Sequence, residues 1–449
     1  MNKPDADLIL ELQTLLSQSE EEALQIFLRL IRPEDIAGWL DHMGSEDRQR
    51  ILDALDHDAA GTVLNDTTAS IRAELIEDIE PERIARIAEA LPADEAADLI
   101  GELETEDTEQ ILHHIADEDE RVLRGLLSYP EDTAGGIMNP DVVALTPEST
   151  VDDAIDFLRS ATEDTVTAAL YVVNDDRRLL GFVRLQRLVT ARPTSRLGDI
   201  MSEDVISVDV RSDQEEVAYQ VEKYSFVAIP VVDNQFRLLG AVTFDDVIDV
   251  IAEEASEDIY KMAGSSVEEE ESESILHVAR FRLPWLLVCL AGTQLSTVVL
   301  SFAKGRIGLY EQMSVFTAAI MAMAGNTSLQ SSTTTVRRLA LDTLPRGQFL
   351  RHVVREISVA LLMGVICGFV AALLAVTFGN DPIIGLALGC AMAMGMSAAS
   401  MLGAAMPLGL DMLGIDPAVS SGPLVSTIND SLALALYFSI ATGILYWMG

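Results

Sequence analysis

Residues 357–379 read ISVALLMGVICGFVAALLAVTFG, and residues 382–410 read PIIGLALGCAMAMGMSAASMLGAAMPLGL. Neither stretch holds an Asp, Glu, Lys, Arg or His, and each exceeds the ~20 residues an α-helix needs to cross the hydrocarbon core of a bilayer. Outward from them, 283–303 and 313–336 are equally free of charge, and 424–448 is apolar apart from Asn429 and Asp430. Soluble core helices seldom run so long uncharged, so this part of the chain reads as five membrane spans. The remainder is its opposite. The 449 residues carry 72 Asp+Glu against 30 Lys+Arg, a net charge of −42, yet the mean hydropathy is +0.25, so acid and apolar residues lie in different places. Residues 281–449 hold 8 Lys+Arg and 7 Asp+Glu, net +1, which leaves −43 for residues 1–280. So acidic a soluble part repels polyanions and argues against a nucleic-acid partner. Cys289, Cys367 and Cys390 fall in the apolar part at no metal-ligand spacing and read as packing residues.

Loop charge orients the spans. Arg280 and Arg282 precede the first span, and Arg337, Arg338, Arg346, Arg351 and Arg355 lie between the second and third. The loop after the first span has only Lys304 and Arg306, and the loop after the third has no basic residue. Positive-inside bias therefore places the acidic N-terminal part and the second loop in the cytoplasm and the C-terminus outside. The N-terminus opens with Asp5, Asp7 and Glu11, which is no cleavable signal. The expectation is a multi-pass membrane protein.

The acidic part divides into three. Residues 5–128 read as short helices, with Leu24, Phe27, Leu28 and Ile31 at helical spacing. Pro33-Glu-Asp-Ile-Ala, Pro81-Glu-Arg-Ile-Ala and a looser copy at Leu91-Pro92-Ala-Asp-Glu mark helix starts, since proline fits the first turn and carboxylates favour the positive end of the dipole. Residues 137–250 hold an internal duplication. Ile137-Met138-Asn-Pro-Asp141-Val142 returns as Ile200-Met201-Ser-Glu-Asp204-Val205, Ala169–Val173 as Ala228–Val232, and Arg178-Leu-Leu-Gly181 as Arg237-Leu-Leu-Gly240. Each copy reads strand, helix, strand, tight Gly turn, strand, helix. The pair resembles tandem CBS domains, a module that often senses adenine nucleotides or ions, which makes ATP a possible ligand.

Asp245, Asp246, Asp249, Glu253, Glu254, Glu257 and Asp258 then follow, interleaved with Ile248, Val250, Ile251 and Ile259, and no Gly or Pro intervenes before Gly264. This predicts a long acidic amphipathic helix leading to the membrane. Carboxylates at i, i+3 and i+4 share a face, and two such charges ~5 Å apart at an effective dielectric of ~20 repel by roughly 3 kcal/mol. Such a connector is either a solvated spacer or a cation-dependent joint.

Asp430 is the one ionisable residue well inside a predicted span, where a carboxylate costs a few kcal/mol and faces a pathway or partner rather than lipid. Counted along the helices, Asn326 of the second span falls at a similar depth, within Ala324-Gly-Asn-Thr-Ser-Leu-Gln-Ser331, which is too polar for lipid. With no basic residue deep in any span, a transported cation is the expected counter-ion. Carboxylate, amide and hydroxyl oxygens suit Mg²⁺, Ca²⁺ or Mn²⁺. Mg²⁺ releases water reluctantly, so one Asp per chain suits an ion held through its hydration shell, and a two-fold dimer supplies two.

The whole order resembles the MgtE family of bacterial Mg²⁺ channels. The closest segment is Asp416-Pro417-Ala418-Val-Ser-Ser-Gly-Pro423-Leu424-Val-Ser-Thr427-Ile-Asn-Asp430, similar to that family's fifth-span signature, and Ala324-Gly325-Asn326 stands where the family has Gly-Gly-Asn. The resemblance implies a multi-domain α plus α/β fold with an α-helical membrane domain: an N-terminal helical superhelix (1–130), a tandem CBS pair (131–195 and 196–250), a connecting plug helix (245–275) and five transmembrane helices (281–449). It places the pore aspartate at Asp430, with Asn326 and Asp416 as further cation ligands. Asp213, Glu215, Asp246, Asp249, Glu254, Glu257 and Asp258 become candidates for sensing cytosolic Mg²⁺, with Ser225 where a further acid is often found. The implied activity is Mg²⁺ uptake by a homodimer in the lipid bilayer. At low Mg²⁺ the acidic faces repel and the pore opens; at high Mg²⁺ the faces are bridged and the plug shuts. A Na⁺- or H⁺-coupled exchanger and a non-transporting sensor of Mg²⁺ or nucleotide are the alternatives. No nucleophile–base pair, phosphate loop or hydrolase spacing suggests an enzyme. The rest of the acid, beside only four lysines (Lys3, Lys223, Lys261 and Lys304), reads as a surface suited to solubility or a salty habitat.

Overall fold

The computed structural model describes residues 3–18, 21–77, 79–103, 105–161, 166–266, 275–304, 310–340, 343–418 and 423–448. Residues 267–274 of the connector, Arg306, and 419–422 of the fifth-span segment lie outside the described residues. The chain divides into two compact units, Met1–Glu253 and Glu254–Gly449.

The first unit opens with ten short helices: α1 (Lys3–Gln18), α2 (Glu21–Leu28), α3 (Pro33–Leu40), α4 (Ser45–Ala54), α5 (His57–Asp66), α6 (Ala69–Glu77), α7 (Pro81–Ala88), α8 (Ala93–Gly101), α9 (Thr105–Leu112) and α10 (Asp117–Leu126). Pro33 and Pro81 occupy the first turns of α3 and α7, each followed by acid, as their sequences predict. Each helix buries one side. Leu24, Leu28, Ile36, Leu40, Ile51, Leu64, Ile87 and Leu99 are at most 2 % exposed and belong to one continuous core. Burial of each such side chain contributes ~1.5–3 kcal/mol, which holds helices too short to be stable alone.

Two α/β repeats follow. The first comprises β1 (Val142–Leu145), α11 (Val151–Ser160), β2 (Val166–Val173), β3 (Leu179–Arg184) and α12 (Leu185–Thr190). After α13 (Leu197–Ile200) comes the second, with β4 (Val208–Asp209), α14 (Gln214–Tyr224), β5 (Ala228–Val232), β6 (Leu238–Thr243) and α15 (Phe244–Ala263). Each forms a three-stranded sheet of one parallel and one antiparallel pairing, in the orders β1-β2-β3 and β4-β5-β6. The duplicated glycines are not the turn residues the sequence suggests. Gly181 and Gly240 lie inside β3 and β6, facing Val172 and Val231. The turns are made just before them, with Arg177 and Phe236 at φ 59° and 62°. The glycines are needed because the repeats exchange strand edges. Phe182 pairs with Ser202 of the second repeat, and Ala241 with Asn139 of the first. A Cβ on Gly181 would lie 2.7 Å from the Ser202 carbonyl oxygen, and one on Gly240 2.5 Å from that of Asn139.

The connector is shorter than predicted. α15 ends at Ala263, because Gly264 turns left-handed at φ 74° and the amides of Gly264 and Ser265 return to the carbonyls of Lys261 and Tyr260, a Schellman ending.

The second unit holds α16 (Ile275–Ala303), the short α17 (Tyr310–Ser314), α18 (Thr317–Ala340), α19 (Phe349–Thr377), α20 (Pro382–Met412) and α21 (Pro423–Met448). Three of these are long and apolar enough to cross a membrane, over Val278–Ala303, Phe349–Thr377 and Pro382–Met412. α18 and α21 have the length, 24 and 26 residues, and Ser, Thr and Asn side chains make much of α18 polar. Among the described residues the count of five spans thus rests on length for two helices and on length and composition for three. α20 packs tightly on α19, and a Cβ on Gly368 would lie 2.4 Å from the Gly389 carbonyl oxygen. Such small-residue seams let helices approach where the hydrophobic effect gives no drive.

Candidate cation sites

Asp430 is half-buried in α21, seven residues or ~10 Å from the helix start at Pro423. Among the described residues it takes part in no ion pair. Its turn is held by α16. A Cβ on Gly292 would collide with Thr427 Cγ2, and one turn along, the hydroxyls of Ser296 and Ser431 are 3.0 Å apart and buried. Neighbouring Asn429 is 1 % exposed, and among the described residues neither of its amide atoms has a hydrogen-bond partner.

The polar segment of α18 has two faces. Ala324, Thr327, Ser328, Ser331, Ser332 and Thr335 are buried, whereas Asn326, Gln330 and Thr333 are exposed. Close helix packing thus accounts for one face of the segment, and Asn326 stands on the other. No hydrogen bond joins Asn326 to Asp430 among the described residues.

The buried face carries a network that the sequence reading missed. Ser331 donates to Glu356 Oε2 at 3.2 Å and lies 2.6 Å from the Ser400 hydroxyl. Arg338 Nη1 is 3.0 Å from His352 Nδ1, so Nδ1 accepts, and Nε2–H donates to Thr335 Oγ1 at 2.9 Å. The Thr335 hydroxyl then donates to the Ser331 carbonyl at 2.7 Å. The signal was present as Ser and Thr at i, i+4 spacing, but its partners come from α19 and α20.

In the first unit, acids of the helical array face acids of α15. Asp94 in α8 is 8 % exposed and accepts from Asn139 Nδ2 at 3.1 Å. Its pKa is pushed up to about 7, by burial first and the Asp246 carboxylate second. Asp98, a turn further, has more solvent contact, yet its pKa also rises to about 7 through burial of its carboxyl and the charges of Glu131, Asp246, Glu102 and Glu253. Asp98 and Glu131 line one small pocket with Tyr129 and Gly136. Asp246 accepts from the Thr243 amide and hydroxyl at 3.1 and 2.6 Å, capping α15, and burial raises its pKa too. Asp66 of α5 is raised by burial, then by Glu34 of α3 and by Asp249. Asp94, Asp98 and Asp66 were not singled out from sequence. They sit in the loosest helix-start copy and at an unremarked helix end, and the α15 acids that face them, Asp246 and Asp249, lie 148 to 183 residues away along the chain.

In the second unit the end of α15 is arranged differently. Lys261 Nζ lies 2.7 Å from Asp416 Oδ2 and 2.5 Å from Glu257 Oε1. Asp416 also accepts from the Ala418 amide at 2.7 Å. The pKa of Asp258 rises to about 6, through burial first and then Asp416, against the opposing pull of Lys261. Glu254 is half-buried one turn before it. Asp213 caps α14 by accepting from the Glu215 amide at 2.9 Å, and both residues are exposed. Ser225 ends that helix in the left-handed conformation, φ 53°. Among the described residues no three His, Cys, Asp or Glu side chains converge as a ready-made metal site. The donors that face each other are carboxylates, the ligand type of hard cations.

Comparison with known proteins covers the whole chain. Residues 317–440 match the family model described as MgtE, a divalent cation transporter; residues 31–132 match the MgtE intracellular N domain; and residues 134–193 and 197–253 match CBS domains. The magnesium transporter MgtE of Thermus thermophilus is 33% identical over 442 residues, 97% of this chain and 98% of that one. That of Bacillus subtilis is 29% identical over 441 residues, 98% of each. Among solved structures, the cytosolic domain of the Mg²⁺ channel MgtE in complex with ATP superposes with a TM-score of 0.52 at 34% identity, covering 54% of this chain and 99% of that chain. The soluble part of a magnesium transporter gives 0.50 at 27%, covering 56% and 99%.

Proposed function

This chain belongs to the MgtE family of magnesium transporters, and from that premise we propose that two copies form a Mg²⁺ uptake pore in a bacterial plasma membrane, closed by cytosolic Mg²⁺. The observation that carries the gating is acid set against acid: Asp94 and Asp98 towards Asp246, and Asp66 with Glu34 towards Asp249. Carboxylates arranged this way favour separation of the helical array from α15 unless a proton or a cation neutralises them. Two carboxylates ~5 Å apart at an effective dielectric of ~20 repel by roughly 3 kcal/mol, and turning a gate from 1:99 to 99:1 requires ~5.5 kcal/mol of differential binding, the sum of about two such repulsions. Glu254 and Asp258 on α15, and Asp213 with Glu215 on α14, extend the acidic surface open to the same ion.

In this reading α16 and α18 to α21 are the five spans, with the N-terminus in the cytoplasm and the C-terminus outside. Asp430 offers its carboxylate to the hydrated ion in transit. Asn326, on the exposed face of α18, lines the path or the two-fold partner. The CBS pair binds an adenine nucleotide, a reading supported by likeness to the cytosolic domain solved with ATP. Liposomes reconstituted with the purified chain test the whole. Mg²⁺ entry that needs no Na⁺ or H⁺ gradient and falls as Mg²⁺ is raised on the cytoplasmic face is expected. Entry that stops when those gradients are removed makes the protein a coupled exchanger.

A further inference from the structure

The contact between Lys261 and Asp416 joins two segments 155 residues apart in sequence, both within the second unit. Neither partner hangs on a loose chain. Lys261 sits in the last turn of α15, immediately before the Schellman ending at Gly264. Asp416 lies just beyond a second ending of the same kind. There Gly414 adopts φ 70° and the amides of Gly414 and Ile415 return to the carbonyls of Asp411 and Leu410. The Asp416 carboxylate is itself oriented, since one oxygen accepts from the Ala418 amide while the other meets Lys261. Lysine is also the only base on α15, against seven acids, and it is placed where a helix favours a cation, four residues after Glu257.

We propose that Lys261 is a tethered counter-cation that seats the end of the connector on the segment leading into α21, so that this joint holds without a bound divalent ion. Asp416 and Glu257 have carboxylate chemistry that fits Mg²⁺, but their charge is already met by an ammonium. The connector is therefore a two-part device: its first half waits for a cation, and its last turn carries one. Only the consequence for gating rests on the pore reading; the latch itself does not.

The test is a distance measurement on the full chain in liposomes. Spin labels are placed at Ile259→Cys and Ile415→Cys, 67% and 48% exposed, with Cys289, Cys367 and Cys390 replaced by Ala. With native Lys261 we expect one narrow distance distribution, the same in chelator and in millimolar Mg²⁺. Lys261→Met is expected to lose that narrow distribution in chelator and regain it with Mg²⁺, because the exposed carboxylates then take the divalent ion. Lys261→Arg and the exchanged pair Lys261→Asp with Asp416→Lys should keep it in chelator. A native distribution that broadens in chelator, a Lys261→Met distribution as narrow as native, or an exchanged pair as broad as the single variant overturns the latch. Mg²⁺ flux from the same liposomes is recorded alongside: absent flux with these distances intact strikes the pore reading and leaves the latch standing.

Discussion

In the first half of α15, Asp246 lies against Asp94 and Asp98, and Asp249 against Asp66, and the charges that raise those pKa values are other carboxylates. In its last turn, Glu257 reaches Lys261, which also holds Asp416. The composition of the two halves is much the same. What separates them is one lysine and the partners that the fold delivers, so acidity alone does not mark a cation sensor. In the proposed gate, a carboxylate serves as one when it is partly desolvated, opposed by its own kind and given no base. Asp430, half-buried and without an ion pair among the described residues, shares with the first half its partial burial and its missing base.

The sharpest way to break the comparison is at Asp430. Asp430→Ala is expected to reduce Mg²⁺ entry to that of protein-free liposomes while the chain still folds and inserts; ordinary flux would remove it from the pore. Next in size is the pH response of the opposed acids. A carboxyl whose pKa rises from 3.8 to about 7 on folding, as for Asp94, stabilises fully below pH ~4, and that contribution is lost as pH rises to ~7. For Asp94 the loss is on the order of 2–4 kcal/mol. In chelator, thermal stability should therefore fall between pH ~4 and ~7, Mg²⁺ at the upper end of that range should restore it, and Asp94→Asn should flatten the profile. A profile unaffected by Mg²⁺ would place the two halves of α15 in one class. The smallest expected effect is at a helix seam outside both halves: Ser331→Ala removes the link to Glu356 and Ser400 and should cost ~1 kcal/mol, measured as a lower denaturation midpoint with flux retained.

Much of this architecture is legible in the sequence, for reasons of period and repetition. Long uncharged runs mark α16, α19 and α20, and a doubled pattern of apolar strands marks the repeats. The readings that failed needed three-dimensional partners. Gly181 resembles a turn glycine until Ser202 is seen against it. The connecting helix, expected over 245–275, ends at Ala263, because one left-handed residue suffices to end it. Asp416, placed by its motif among the candidate cation ligands, lies against Lys261, and no local spacing announces a pair 155 residues apart. Asp94 was hidden because its neighbours Glu95 and Asp98 look alike in sequence, and only burial tells them apart.

The most direct test of opposed acids as the gate is the open probability of single channels in excised patches, with Mg²⁺ on the cytoplasmic face stepped from micromolar to tens of millimolar, in the native chain and in Asp94→Asn/Asp98→Asn/Asp246→Asn. The account predicts a steep fall for the native chain and a curve displaced to higher Mg²⁺ and shallower for the variant. An open probability that stays constant in the native chain across that range, or two curves that coincide, would contradict it.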